Sequence, residues 1–338
     1  MCYNNNEVIT LTFQNTINYI EFRRDAGELS YAAFAVGDRT GTHFRWCLDG
    51  PTESTLFDMA SVTKIAVTTS LVLLAQSEGR VHWTHRIGDY FDAPADKADI
   101  PLWRLLTHSA GFRPYFVSSR IDDPAGVAAQ ILSEPLLYTP GTRVVYCCNG
   151  FNLLGKLIEG LYGDTLDVLF REKIAPALGM ANSGYKPPLS ADVALHQEPR
   201  HRVNDQNAFF MGNVAGNAGL FSNIVDMSRY AAALANGLPT LIPRELFAAT
   251  LENRTPGLEE ARGIGWKLVD PGYIQTGRLY PVGSYGHCGH TGQCVFVGRE
   301  TGMWTVFLTN MTYFHRDYGR VCAMRGEFHN AVAEDLGL

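Results

Sequence analysis

A serine followed three residues later by a lysine, Ser61-Val62-Thr63-Lys64, is the pairing in this sequence best suited to nucleophilic chemistry. If the tetrad opens a helix, positions three apart share a face and the Lys64 ammonium reaches the Ser61 hydroxyl. The segment that follows, with Ile65, Ala66, Val67, Leu71, Val72, Leu73 and Leu74 before Gly79, is apolar nearly all round and predicts a buried helix. Burial and the helix dipole are expected to pull Lys64 toward a neutral amine able to take the serine proton. On a surface helix the same residues would read as a serine cap and a solvated lysine, but a buried lysine is costly unless it has partners and a task. A second Ser-x-x-Lys, Ser183-Gly184-Tyr185-Lys186, runs into Pro187-Pro188. It cannot open a helix, so its lysine need not face its serine.

Three other groups of residues suggest different chemistry. His287, Cys288, His290 and Cys294 are the densest cluster of metal-ligand types. Neighbours on a strand point to opposite faces, so His287 and Cys288 cannot both ligate one ion, and no metal is expected. Gly150-Phe151-Asn152-Leu153-Leu154-Gly155-Lys156 fits seven positions of a phosphate-binding loop, but Leu157 stands where Ser or Thr must hold Mg²⁺. Cys147 and Cys148 offer thiol nucleophiles, although no histidine or cation adjoins them in sequence to lower a thiol pKa.

These residues need a scaffold, and the sequence outlines one. Phe13 to Arg24 predicts a short helix stopped by Gly27, and Ser30–Val36 with His43–Leu48 predicts a hairpin around Gly37–Gly41. From Ser61 to about Asn253 the pattern turns helical: Pro101 leads Leu102–His108, Gly155–Leu161 ends at Gly163, and Ser222 leads Ile224–Asn236 before Gly237. Strand-like runs return at Gly263–Val269, Cys294–Val297 and Met303–Thr309, and Arg320–Leu336 closes the chain as an amphipathic helix. The predicted fold is α+β, with the sheet built from both ends of the sequence. Residues 1–60 and 255–338 form the sheet domain, 61–254 a mostly helical insertion, and the active site lies at their interface.

The chain of 338 residues is 46% apolar and 18% charged, enough for a large core. Its net charge of -6 and pI near 5.9 argue against nucleic-acid or polybasic membrane partners. Met1–Thr12 has no positive leader before an apolar stretch, and Ile65–Ala75 is shorter than the roughly 20 residues of a membrane span. The seven cysteines, Cys2, Cys47, Cys147, Cys148, Cys288, Cys294 and Cys322, follow neither a disulfide framework nor a paired zinc motif. Reduced thiols in a cytoplasmic, soluble protein are therefore expected.

Phe57-Asp58-Met59-Ala60-Ser61-Val62-Thr63-Lys64 resembles the nucleophile motif of class C β-lactamases, their penicillin-binding relatives and the serine esterases of the same fold. Leu105-Leu106-Thr107-His108-Ser109-Ala110-Gly111 is similar to that family's Leu-Leu-Thr-His-Thr-Ser-Gly loop, and Ala215-Gly216-Asn217-Ala218-Gly219-Leu220-Phe221-Ser222 to its glycine-rich turn. Tyr146-Cys147-Cys148 falls where the family carries Tyr-Ser-Asn, and Tyr285-Gly286-His287-Cys288-Gly289-His290-Thr291-Gly292 resembles its third motif in the His-x-Gly form. The likeness runs in order from about Phe13 to Leu336.

The resemblance implies a β-lactamase/transpeptidase-like fold and a serine hydrolase working without a cofactor. Ser61 would be the nucleophile, with Lys64 and Tyr146 moving protons. The N–H groups of Ser61 and His290 would form the oxyanion hole, and Cys148, His287 and Gly289 would contact the substrate. Gly289 is expected to leave room for a substrate against the strand. Cys148 is a poor substitute for an amide, and His287 is no permanent cation. Both changes favour neutral short-chain esters over the alternatives, a lactam or a D-amino-acid peptide, or a non-catalytic sensor of the same fold. The oligomeric state is not legible.

Overall fold

The computed structural model describes residues 12–116, 126–315 and 317–338. The expectations placed on Met1–Leu11, Cys2 among them, lie outside these residues. Eight strands occur among the described residues: β1 (Ala32–Asp38), β2 (Gly41–Cys47), β3 (Phe57–Asp58), β4 (Phe221–Ser222), β5 (Lys267–Leu268), β6 (Tyr285–Cys288), β7 (Cys294–Val297) and β8 (Trp304–Thr309). Six form one antiparallel sheet in the order β2-β1-β8-β7-β6-β5, and β3 pairs with β4. The sheet is thus assembled from both ends of the chain.

Side-chain alternation gives that sheet two buried faces. Ala33, Ala35, Val295, Val297, Val306 and Leu308 join the core beneath the helical middle of the chain, whereas Ala32, Phe34, Val36, Phe296 and Phe307 join a second core with residues of the terminal helices. Five helices matter for the site: α1 (Gln14–Asp25), α2 (Ala60–Ser77), α3 (Cys148–Tyr162), α4 (Ile224–Ala235) and α5 (Tyr318–Asp335). Helix α2 is longer than its apolar run implied, and by length and composition it could cross a membrane. It is 78% buried within the fold, so its apolarity serves the core.

Several boundaries differ from the sequence reading for local reasons. The first hairpin is tighter, with β1 and β2 separated only by Arg39-Thr40, because the Asp38 carboxylate accepts the Thr40 N–H at 2.7 Å and closes the turn. The strand read over Gly263–Val269 shrinks to two residues. Gly265 adopts φ 86, and a Cβ there would lie 2.3 Å from the Thr69 hydroxyl, so the chain bends to pack against α2. Helix α3 begins seven residues before Gly155, capped by the Cys147 sulfur accepting the Gly150 N–H at 3.3 Å. Helix α4 is capped by Asn223, which accepts the Asp226 N–H at 2.9 Å, while Ser222 belongs to β4.

Candidate active site

Strand β3 ends in a backbone turn that sets up Ser61. Ala60 is held at φ 44, a left-handed conformation rare outside glycine. The buried Asp58 carboxylate fixes it by accepting the N–H groups of Ala60 at 2.8 Å and Asn204 at 2.7 Å. Burial pushes Asp58 up to about 6, against those two hydrogen bonds. Ser61 then sits in the first turn of α2 with its side chain at a cavity.

Lys64 is fully buried. Its Nζ donates to the Ser61 Oγ at 3.1 Å, to the Asn217 carbonyl at 3.0 Å and to the Cys148 Sγ at 3.5 Å, and lies over the Tyr146 ring at 4.9 Å. The expectation of a lowered lysine pKa is reversed. Burial does pull Lys64 down, but Cys148, Tyr146 and Asp205 outweigh it and hold the ammonium above its ordinary value. Asn217 is itself held by an N–H donated to Asn152 Oδ1 at 3.1 Å and an amide donated to Asp205 at 3.0 Å.

Tyr146 lies just before α3, where its ring packs on His108 at 4.6 Å and faces His287 at 5.9 Å. Among the described residues its buried hydroxyl finds no partner in full hydrogen-bond geometry, although Lys64 and Ser61 are beside it. Burial pushes the phenol up to about 12, with Lys64 opposing. Cys147 is inert as a nucleophile, since burial pushes its thiol up to about 12 and its sulfur caps α3. Cys148 does acquire a cationic partner, Lys64, which sequence adjacency had hidden.

Strand β6 brings in the third segment. It is not the sheet edge, because β5 pairs with Gly286 and Tyr285, but beyond Gly286 no strand pairs with that side of β6 among the described residues. His287 is buried and neutral: burial, then Arg262 and Lys64, hold it well below the ordinary imidazole value. Its Nδ1–H donates to the Cys288 carbonyl at 2.7 Å, leaving Nε2 buried without a partner among the described residues. Gly289 has a packing role that the sequence did not show. A Cβ there would lie 2.5 Å from the Met59 carbonyl, so glycine is needed for β6 to reach the nucleophile turn. Thr291 ties the same turn down by donating to the Asp58 carbonyl at 2.7 Å. Among the described residues no protein acceptor takes the N–H of Ser61 or of His290. The His290 ring stacks on Tyr318.

The cavity measures about 360 Å³, and Ser61, Tyr146, His287, Cys288 and His290 reach it from three elements. Its remaining wall was missed from sequence: Glu260, Arg262, Lys267, Tyr273, Gln275 and Tyr318. The one available signal was the set of charges at Glu260, Arg262 and Lys267, of which only Lys267 falls in the stretch read as a strand. Both cations are neutralised, Arg262 by Glu260 at 2.5 Å and Lys267 by Asp270 at 2.8 Å.

Rival sites separate in space. Ser183 binds Ser222 and the Asp226 carboxylate, while Lys186 points to solvent. Gly150–Lys156 lies inside α3. Among the described residues no group of three or more His, Cys, Asp or Glu side chains is placed to hold a metal ion.

A profile of the family described as Beta-lactamase matches residues 19–321. A protein of Escherichia coli K12 named "Putative D-alanyl-D-alanine carboxypeptidase" is 29% identical over 302 residues, covering 77% of this chain and 70% of its own. The octameric penicillin-binding protein homologue from Pyrococcus abyssi superposes with a TM-score of 0.76 at 19% identity, over 96% of this chain and 78% of that one. A hydrolase with promiscuous acyltransferase activity superposes with a TM-score of 0.74 at 16% identity, over 95% and 98%. The last two likenesses concern the fold, which is of the β-lactamase/transpeptidase type.

Proposed function

Because the chain belongs to the Beta-lactamase family, whose members are serine hydrolases, we propose that it is a carboxylesterase on short-chain esters, working through an acyl-enzyme on Ser61. The observation that carries this reading is the neutral, buried His287 in a cavity whose two cations are already paired. Among the described residues of that wall, Arg262 and Lys267 are each held by a carboxylate, which weakens their pull on a substrate carboxylate, and an uncharged ester places no such demand on them.

In this mechanism the Ser61 oxygen attacks the ester carbonyl as its proton passes to the Lys64–Tyr146 pair. The pair must first hold one proton fewer than at rest, because Lys64 begins as an ammonium donating to Ser61. The N–H groups of Ser61 and His290 receive the negative oxygen. The alcohol leaves with the proton, and water attacks the acyl-enzyme to release the acid. His287, Gly289 and Cys148 border the bound substrate.

A second reading, hydrolysis of a D-amino-acid peptide or a lactam, is favoured by the presence of Arg262 and Lys267 in the cavity wall. Parallel assays of wild type and Ser61→Ala on nitrophenyl acetate and butyrate, on nitrocefin and on a D-alanyl-D-alanine peptide separate the two. Ester turnover lost in Ser61→Ala, with the other substrates intact, is expected. Fast turnover of nitrocefin or the peptide transfers the assignment to the second reading. Activity that survives Ser61→Ala refutes the nucleophile, and inactivity on every substrate leaves a non-catalytic binding module.

A further inference from the structure

Cys288 and Cys294 stand directly opposite each other on β6 and β7. The Gly289 N–H donates to the Gln293 carbonyl at 2.8 Å, which makes 289 and 293 a hydrogen-bonded pair. The next pair along, Cys288 and Cys294, is therefore of the kind without ladder bonds. Such partners have Cα atoms about 4.5 Å apart and closely approaching side chains, within the range that a disulfide spans. Both thiols are free. Cys288 borders the cavity, and Cys294 is fully buried behind it in the core shared with α5.

The surroundings favour reaction at Cys288. The Tyr273 hydroxyl is 3.7 Å from its sulfur, and the buried Arg325 guanidinium donates to the adjacent Gly289 carbonyl. Burial opposes ionisation of Cys288, but the Cys294 thiol and then Arg325 outweigh it and hold it down to about 7. A cavity-facing thiol with thiolate character is the kind a small oxidant attacks, and a second thiol opposite it resolves the product.

We propose that Cys288 and Cys294 are an oxidation site, at which a peroxide closes a cross-strand disulfide that lowers turnover at Ser61. The Cys288 sulfur attacks one peroxide oxygen, the O–O bond breaks, and sulfenic acid and water result. The Cys294 sulfur then displaces hydroxide from the sulfenic sulfur, and the hydroxide leaves as water with the Cys294 proton. Two thiols lose two electrons and hydrogen peroxide becomes two waters. The new bond draws Cys288 toward Cys294 and pulls on the Gly289–Gly292 turn, which carries the His290 N–H and abuts Met59. The effect on turnover rests on the serine-hydrolase reading of Ser61, whereas formation of the bond does not.

The test treats the full chain with hydrogen peroxide, alkylates free thiols with iodoacetamide and digests with trypsin. Peptide 279–299 contains both cysteines with no cleavage site between them, and Cys322 falls in peptide 321–325. Peptide 279–299 is expected to be unalkylated and lighter by two hydrogens. Ester turnover should fall by about tenfold or more, because small displacements near reacting atoms are costly, and dithiothreitol should reverse both changes. Cys294→Ala should keep its basal activity and retain it after peroxide. Full alkylation of 279–299, or a disulfide to 321–325, overturns the site whether or not the protein turns over any ester. Loss of activity in Cys294→Ala as fast as in wild type overturns the link to turnover and points to Cys148.

Discussion

At the residue scale the site is governed by where one proton resides. Lys64 is held above its ordinary value and Tyr146 is pushed up to about 12. Both therefore carry their protons at neutral pH, and the base form grows only as pH rises. The value of kcat/KM for an ester should keep climbing above pH 7, by up to about tenfold per pH unit below the controlling pKa. A pH–rate profile that levels off below pH 7 contradicts this assignment. Cys148 is the second residue-scale determinant, since its sulfur takes a Lys64 donor at 3.5 Å but cannot both donate and accept strongly. Cys148→Asn should supply one good hydrogen bond to a lactam carbonyl and raise nitrocefin turnover by about tenfold. Unchanged lactam turnover would show that position 148 does not limit recognition.

At the element scale, the proposed catalysis rests on how β6 meets the start of α2. Gly289 allows the approach, Thr291 and Asp58 bind the two turns together, and Arg325 reaches across from α5 to the carbonyls of Gly289 and Gly292. Adding one methyl at Gly289 forces Met59 and Gly289 apart. Gly289→Ala should cost about 1–3 kcal/mol of stability by overpacking and lower ester turnover at the same time, read by denaturant unfolding and by kcat. Loss of turnover with unchanged unfolding would instead return Gly289 to the role expected from sequence, room for the substrate.

At the scale of the whole molecule, the sheet that carries β6 is complete only when the two ends of the chain meet. Strand β1 pairs with β8, and α1 packs on α5, where Asp335 accepts the N–H groups of Asn15 and Thr16 and the Thr16 hydroxyl at 2.7–2.9 Å. These bonds cap the first turn of α1 with a negative charge at its positive end. Asp335→Ala should destabilise the fold by about 1–2 kcal/mol with ester turnover per folded molecule unchanged. Calorimetry beside the esterase assay checks both, and a change in kcat at full folding would show that the terminal helices also shape the cavity.

The sequence alone determined whatever rests on short spacing and on burial pattern. Ser61 and Lys64 share a face because helical positions three apart always do, and the apolar run after them had to be buried. Strands such as Cys294–Val297 were legible because continuous apolar runs bounded by turn residues read as core strands. Tertiary structure decided whatever depends on residues far apart in the chain. The Lys64 pKa turned upward because Cys148, Tyr146 and Asp205 arrive from distant segments. The charged wall of Glu260, Arg262 and Lys267 joins the cavity because glycines at 263 and 265 bend the chain against its neighbours. Cys288 meets Cys294 through strand register, which the turn between them sets. Local periodicity fixes which face a side chain takes, and only the packing of elements fixes what that face meets.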